Sequence, residues 1–315
     1  MALTYRHPIQ TDLDLITSVM NGSRRETAYH RDLTSAEVNT ETFEDPDYDP
    51  NGAWLAFEGT KAVAYAIGVV EKGRIEAGLD DGCIEIDVLP EERGHGAEEE
   101  LMGRAVAYLT SRGIAVATAR IEQTEGWKTS LHLRYGFKSV RRFYRLARRE
   151  DASIPSRTMP KGVDVTHKML REMSDDDVAA FTDVLNDTFA GHFSFAPEPV
   201  WRWVKWRDAC EDPWMISLAT DSSGIIGVCV VEDSKSYNAE RGVSTGWIQF
   251  LGVRKHLRGQ GIGTAMLVDA VRWLQGLGRD AIFIGVDAEN EKALGLYESV
   301  GFKVENESRA YHLDL

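Results

Sequence analysis

Arg258-Gly259-Gln260-Gly261-Ile262-Gly263-Thr264 is the stretch that decides the fold. It follows an apolar run, Trp247 to Val253, and opens a segment, Gly261 to Leu277, in which Leu267, Ala270, Val271 and Leu274 recur with helical spacing. Gly278 is a helix-stop signal, and a second apolar run, Ala281 to Val286, comes next. The order strand, turn, helix, strand predicts a parallel strand pair with a crossover helix. Glycine lets the main chain approach a ligand closely, and the first amides of a helix lack partners at the positive end of its dipole, so the loop is a candidate anion cradle. Arg254, Lys255, His256 and Arg258 add local positive charge. A tight turn with solvated basic side chains explains the same glycines, and the spacing alone does not choose. It differs from a dinucleotide fingerprint and lacks the Lys-Ser/Thr pair of a P-loop.

Working outward, Ser174-Asp175-Asp176-Asp177 predicts a capped helix start, followed by a helical face of Val178, Phe181, Val184 and Leu185. Trp214 to Ala219 and Ile225 to Val231, with a turn at Asp221-Ser222-Ser223-Gly224, predict a hairpin. A helix is expected over 288–299 and a final strand over 309–313. The same layout occurs earlier in the chain. Val88 to Gly96, with Arg93-Gly94-His95-Gly96, resembles Val253 to Gly261, and Gly136-Phe137-Lys138 resembles Gly301-Phe302-Lys303. Asn21 and Asn186 each close a helical pattern. All three landmarks are offset by 165 residues, as 253 − 88, 301 − 136 and 186 − 21 show. A period this long implies domain duplication rather than a solenoid. The expected fold is therefore α/β, two tandem copies of a mixed twisted sheet with flanking helices. Their expected spans are 1–150 and 163–315, joined by a Pro-containing linker around 150–163.

The 315-residue length suits two domains, and a net charge of −14 disfavours nucleic-acid and anionic-membrane surfaces. A small anionic ligand needs only a local positive site. Cys83, Cys210 and Cys229 are too sparse for a disulfide framework, and Cys229, inside an apolar run, reads as a buried thiol. No secretory pattern and no long apolar span are recognised, so a cytoplasmic protein is expected, as monomer or homodimer, with no metal.

A second segment gives the loop its meaning. Arg258-x-x-Gly261-x-Gly263, followed by Asn290-x-x-Ala293-x-x-Leu296-Tyr297 and Gly301-Phe302, resembles the paired motifs of the GNAT N-acetyltransferase superfamily, and the tandem layout is distantly similar to its mycothiol synthase type. The resemblance covers the C-terminal half closely and the N-terminal half loosely. It implies acetyl-CoA as cofactor, with its pantetheine arm between two splayed strands, Trp247–Val253 and Ala281–Val286. It further implies that Leu251 and Val253 meet this arm through the main chain, with the Val253 amide facing the thioester carbonyl. Amides of Arg258, Gly259, Gln260, Gly261, Ile262, Gly263 and Thr264 are implied to hold the pyrophosphate, Asn290 to hydrogen-bond the arm, and Tyr297 to act as general acid.

The implied reaction is acetyl transfer to an amine of a small molecule or peptide by direct attack on the thioester. A CoA-binding regulatory or scaffolding protein without turnover is the competing class. The chain departs from the mycothiol synthase type where that type carries a Glu at the start of the strand before the loop, since Trp247 stands there. His192, Glu232, Asp287 or a water relay remain as candidate bases. The aromatic segments 191–195 and 201–206 suit either an acceptor pocket or core packing. In the N-terminal copy, Gly263, Asn290 and Tyr297 correspond to Glu98, Glu125 and His132, so that copy reads as degenerate.

Overall fold

The computed structural model describes residues 3–27, 32–149, 152–209 and 212–315, so Cys210 and linker residues 150–151 lie outside the described residues. Contacts divide the chain into two compact units: unit 1 holds residues 1–142 and 308–315, and unit 2 holds residues 143–307.

Unit 1 runs through β1 (Leu3–Arg6), α1 (Leu13–Arg24), α2 (Ser35–Glu41), β2 (Ala53–Glu58), β3 (Lys61–Val69), α3 (Lys72–Glu76), β4 (Asp81–Val88), α4 (Ala97–Ser111), β5 (Val116–Glu122) and α5 (Gly126–Arg134). The strand β6 (Lys138–Arg149) contributes its residues from Phe143 onward to unit 2. There β7 (Asp164–Met169), α6 (Asp175–Phe189), α7 (Val200–Ala209), β8 (Trp214–Asp221), β9 (Gly224–Glu232), α8 (Lys235–Arg241), β10 (Thr245–Val253), α9 (Ile262–Gly276), β11 (Ala281–Asp287) and α10 (Glu291–Ser299) follow. The last strand, β12 (Lys303–Asp314), belongs to unit 1 from Ser308 onward.

The strand order in unit 1 is β1-β2-β3-β4-β5-β12, and in unit 2 it is β6-β11-β10-β9-β8-β7. Neighbours are antiparallel except for β4 with β5 and β10 with β11, which are parallel. These two pairs are the ones expected from the strand-turn-helix-strand order, and α4 and α9 are their crossover helices. The central strands β3, β9 and β11 are buried on both faces over most of their length, whereas β1 and β7 are half-buried or exposed. In unit 2, α9 packs Met266, Leu267, Val271 and Leu274 on one face, while α6 and α7 pack Phe181, Leu185 and Trp203 on the other. Unit 1 repeats this with Leu101, Met102 and Leu109 of α4, and Ile16 and Val19 of α1.

The duplication extends to side-chain detail. Asn21 Nδ2 donates to the Leu33 carbonyl at 2.9 Å and its Oδ1 accepts from the Leu33 amide at 2.8 Å. Asn186 makes the same pair with Glu198 at 2.9 and 2.8 Å. Each Asn therefore clamps the main chain twelve residues downstream. The helices do not end at these positions, as their polarity had suggested, but continue to Arg24 and Phe189.

The compact units differ from the linear spans 1–150 and 163–315 in one respect: the final strand of each half enters the other unit. Residues 143–149 line β11 and residues 308–314 line β5, both antiparallel. The offset of 165 makes these two segments equivalent, so either fits either edge. Arg148 is consequently buried, and its Nε donates to the Val300 carbonyl at the end of α10 at 2.9 Å.

The aromatic segment 201–206 divides. Trp203 is fully buried against Phe181, Trp206, Trp214 and Phe250, which is core packing, while Trp201 is exposed on the other face of α7. Cys229 is buried, and burial pushes its thiol pKa up.

In unit 1, His132 lies in the core against Phe137 and Tyr311, its Nδ1 hydrogen-bonded to the Lys128 carbonyl at 2.7 Å. Burial, aided by the Lys128 charge, lowers its pKa to about 4. A buried neutral imidazole is protonated more readily after unfolding, so its contribution to stability is complete above about pH 6.5 and is lost as pH falls towards 4, to a limit of about 3 kcal/mol. Urea midpoints at pH 7 and pH 5 should therefore differ more for the natural chain than for His132→Phe, in which this component of the acid sensitivity disappears.

Candidate active site

The site begins where a ladder stops. β10 pairs with β11 only from Thr245–Ala281 to Ile248–Ile284. Beyond that point β10 stays with β9 as far as Val253–Gly227, and β11 stays with β6 as far as Asp287–Phe143. The β9–β10 ladder shifts register between Ile248 and Phe250, leaving Gln249 as the extra residue that bends β10 away. A gap opens between two strand edges.

The polarity of the β10 edge follows from one bond. Arg254 N–H donates to the Ile226 carbonyl on the β9 side at 2.9 Å. Strand direction alternates with period two, so the amides of Val253 and Leu251 face the gap. These are main-chain groups awaiting an extended partner, and a ligand with amides along its length satisfies them as an added strand does.

At the mouth of the gap, Gly259 and Gly261 take φ of +80° and +86°, values that side chains disfavour, and Gly261 caps α9. The first main-chain bond of the helix is Ala265 N–H to the Gly261 carbonyl at 3.0 Å. The amides of Gly259, Gln260, Gly261, Ile262, Gly263 and Thr264 accordingly have no main-chain partner among the described residues. The Arg258 amide is turned back on Lys255.

The Arg258 side chain has a different task from the anion contact its sequence context suggests. Its Nε donates to the Val253 carbonyl at 2.9 Å and an Nη to the Thr188 carbonyl at 2.6 Å, tying the last residue of β10 to the end of α6. Arg93 does the same in unit 1, from Nε to the Val88 carbonyl at 3.3 Å and from Nη to the Ser23 carbonyl at 3.0 Å. α6 also approaches β10 very closely, because a Cβ on Gly252 would lie 2.2 Å from Thr188 Oγ1.

Tyr297 projects from α10 into the core that contains Cys229 and Val253, and is 7% exposed. Burial, with a smaller influence from Cys229, pushes its phenol pKa up and keeps the proton on. Cys229, opposite Leu251 in the β9–β10 ladder, belongs to the same packed cluster as Tyr297. Asn290 caps α10 by accepting the Ala293 amide on Oδ1 at 3.1 Å, which leaves its NH₂ group as the donor it can offer. Trp247 stacks on Phe283 with centroids 5.0 Å apart and carries no base. Glu232 Oε2 accepts from Gln249 Nε2 at 2.6 Å, and Asp287 Oδ1 accepts from the Glu289 amide at 3.0 Å.

Unit 1 has the same divergence after Cys83–Thr118, and beside it lies an ion-pair cluster that unit 2 lacks at the equivalent positions. Asp87 of β4, in the position of Gly252, is buried and lies 3.5 Å from Lys128 Nζ of α5 and 2.7 Å from Arg24. Burial alone would raise the Asp87 carboxyl, yet Lys128 and Arg24 hold it below its ordinary value. Lys128 also meets Glu125, the counterpart of Asn290, at 2.8 Å. Arg93 stacks over Trp127 at 4.6 Å. In the glycine loop, Glu98 Oε1 accepts from the Gly94 amide at 2.5 Å, so a carboxylate of the chain itself occupies the anion position. Glu99 and Glu100 turn outward to Arg134 and Arg104. The sequence shows three carboxylates at this helix start, Glu98, Glu99 and Glu100. The signal for the plug, Glu98 four residues after Gly94, becomes legible only once the helix start is placed.

The comparisons agree with this geometry. Residues 170–302 match the Acetyltransferase (GNAT) family. A mycothiol acetyltransferase of Pseudarthrobacter chlorophenolicus is 26% identical over 264 residues, covering 82% of this chain and 75% of that protein. A mycothiol acetyltransferase of Arthrobacter sp. is 24% identical over 238 residues, covering 72% and 69%. Among solved structures, a GCN5-related N-acetyltransferase from Sphaerobacter thermophilus superimposes with a TM-score of 0.71 at 21% identity, covering 99% of this chain and 95% of that one. A tandem GNAT protein from the clavulanic acid biosynthesis pathway gives 0.74 at 11% identity, covering 99% and 98%. The chain is thus a tandem GNAT-type N-acetyltransferase that uses acetyl-CoA, distantly similar to the mycothiol acetyltransferases. Among the described residues no helix is long and apolar enough to cross a membrane.

If Arg258 and Arg93 are paired main-chain clamps, each Arg→Ala substitution removes two charge-assisted bonds to carbonyls and should lower stability by about 2–4 kcal/mol, Arg93→Ala also losing a half-exposed pair with Glu26. Chemical denaturation of both variants should show losses of similar size. A loss confined to Arg258→Ala would mean that the two arginines are not equivalent.

Proposed function

We propose that acetyl-CoA binding and catalysis reside in unit 2, and that the acceptor is a primary amine on a small molecule or peptide. The observation that carries this is the unequal state of the two gaps: the one between β10 and β11 presents open main-chain edges, whereas the one between β4 and β5 has Lys128, Asp87 and Arg24 beside it and Glu98 in its loop.

Acetyl-CoA brings an acetyl group already activated as a thioester. Amides from Gly259 to Thr264 hold its pyrophosphate, Leu251 and Val253 pair with its arm, and Asn290 donates to that arm through its NH₂ group. The Val253 amide faces the thioester carbonyl oxygen, where a preorganised donor is worth about 3–4 kcal/mol as negative charge develops. Tyr297 is the acid that returns a proton to the departing sulfur, and its burial keeps that proton in place until then. Unit 1 is the degenerate copy and has a supporting role.

The acceptor is where this chain parts from its relatives. Those proteins are named for mycothiol, and the mycothiol synthase type carries a carboxylate where Trp247 stands here, stacked on Phe283. An aromatic pair at this point favours an acceptor with an apolar body beside its amine.

An acetyl-CoA-dependent thiol-release screen over amines, aminoglycosides, polyamines and peptide N-termini should identify the acceptor. With it, Tyr297→Phe should lower kcat by about 10²–10⁴-fold with little change in KM for acetyl-CoA. Equal rates would remove Tyr297 as the acid. Equilibrium dialysis should find one tightly bound CoA per chain, and two would defeat the division of labour between the units.

A further inference from the structure

The loop between α6 and α7 joins residues that pack beside the ends of β10 and β11. Gly191 and Ser194 take φ of +89° and +55° and bracket His192 and Phe193. The His192 ring packs edge-on against Phe189 with centroids 4.8 Å apart. Phe189 in turn lies against β10, since its Cε2 is 3.2 Å from the Cβ position of Gly252 and its ring is 5.6 Å from Phe250. The next residue, Phe193, packs on Phe143 at 6.3 Å, and Phe143 is the partner of Asp287 at the end of β11. Two successive loop residues therefore lean towards the diverging strands through intermediaries, His192 on Phe189, which packs on β10, and Phe193 on Phe143, which pairs with β11.

We infer that His192 is the general base of the acetyl transfer, the group that takes the proton of the acceptor amine. The inference rests on the assignment of the reaction to unit 2. The alternatives on the page are occupied: Trp247 is apolar, Glu232 is bonded to Gln249, and Asp287 is bonded into the turn after β11.

The charge environment suits the role. His192 is exposed at the surface of the loop, so partial desolvation lowers its pKa only modestly; the Arg258 guanidinium beyond β10 acts in the same direction, and the Asp287 carboxylate at the end of β11 opposes both. Arg254, also just beyond β10, is neutralised locally by Asp187 of α6 at 2.8 Å. The net result is an imidazole that is neutral, and so a base, at pH 7. As the acceptor nitrogen bonds to the acetyl carbon and the C–S bond breaks, His192 accepts a proton from that nitrogen and Tyr297 gives its proton to the sulfur. His192 then returns a proton to Tyr297, directly or through solvent. The amine becomes an amide and the thioester a thiol, with protons balanced.

Two measurements on the full chain test this. The first needs no turnover: diethyl pyrocarbonate carbethoxylation of His192, followed by mass spectrometry, should be slowed at least fivefold by saturating CoA, while exposed His167 is unaffected. An unchanged rate at His192 would place the ring away from the gap and overturn the inference. The second uses water as the nucleophile: enzyme-dependent hydrolysis of acetyl-CoA should fall at least tenfold in His192→Gln at pH 7, with KM for acetyl-CoA retained. The acidic limb of the natural profile, lying below the ordinary imidazole range, should vanish. A variant that keeps both the rate and the limb rejects His192 as base, as does the absence of any enzyme-dependent hydrolysis. Loss of CoA binding by the natural chain would instead sink the unit 2 assignment itself.

Discussion

A parallel strand pair that stops pairing halfway is the constraint on which this molecule turns. Main-chain amides and carbonyls inside a protein are almost always matched, because leaving one unmatched costs about as much as losing a hydrogen bond. β10 and β11 part after Ile248 and Ile284 and leave a row of such groups facing each other across a gap. A ligand or side chains can answer them. Around the gap, the register shift at Gln249, the Arg258 clamp and the close packing of Thr188 over Gly252 all hold the strands apart.

On the proposed assignment of the reaction to unit 2, few residues distinguish the two copies. Asp87 in place of a glycine, Lys128 in place of an alanine and Glu98 at the start of α4 supply from within the chain the charges and contacts that a cofactor would bring. Buried ions are tolerated only when paired, and Asp87 has two cationic partners. The scaffold stays intact meanwhile: the Asn21 and Asn186 clamps and the Arg93 and Arg258 clamps have the same partners by position in both copies.

Much of this was legible in the sequence because it rests on periodicity and main-chain chemistry. The runs 247–253 and 281–286, the glycine loop and the capped start of α6 are local signals, and they fall where their spacing put them. The constant offset disclosed the duplication. Less visible was anything that depends on which of two equivalent partners a segment meets. Residues 143–149 and 308–314 carry the same pattern, so no local signal says which edge each will join. Arg258 was misleading for a related reason: a basic residue beside a glycine loop suggests an anion, while its reach to two carbonyls is a tertiary fact. Trp203 and Trp201, two residues apart, could be sorted into core and surface only once the phase of α7 was known.

The placement of β12 has a consequence for how the molecule is made. β5 needs Ser308–Asp314 along its edge, a segment that follows it by roughly 190 residues of sequence. During synthesis the N-terminal half therefore emerges with a long apolar edge exposed, and no segment made before the second half has appeared is its native partner. The equivalent stretch 143–149 is available much earlier and fits the same edge, so a transient local pairing competes with the final distant one. Loop-closure entropy favours the early pairing and the completed native structure favours the late one. Maturation of this chain is thus a strand-exchange problem, with the nascent protein held open to chaperones, or to a neighbouring copy, until the second half arrives.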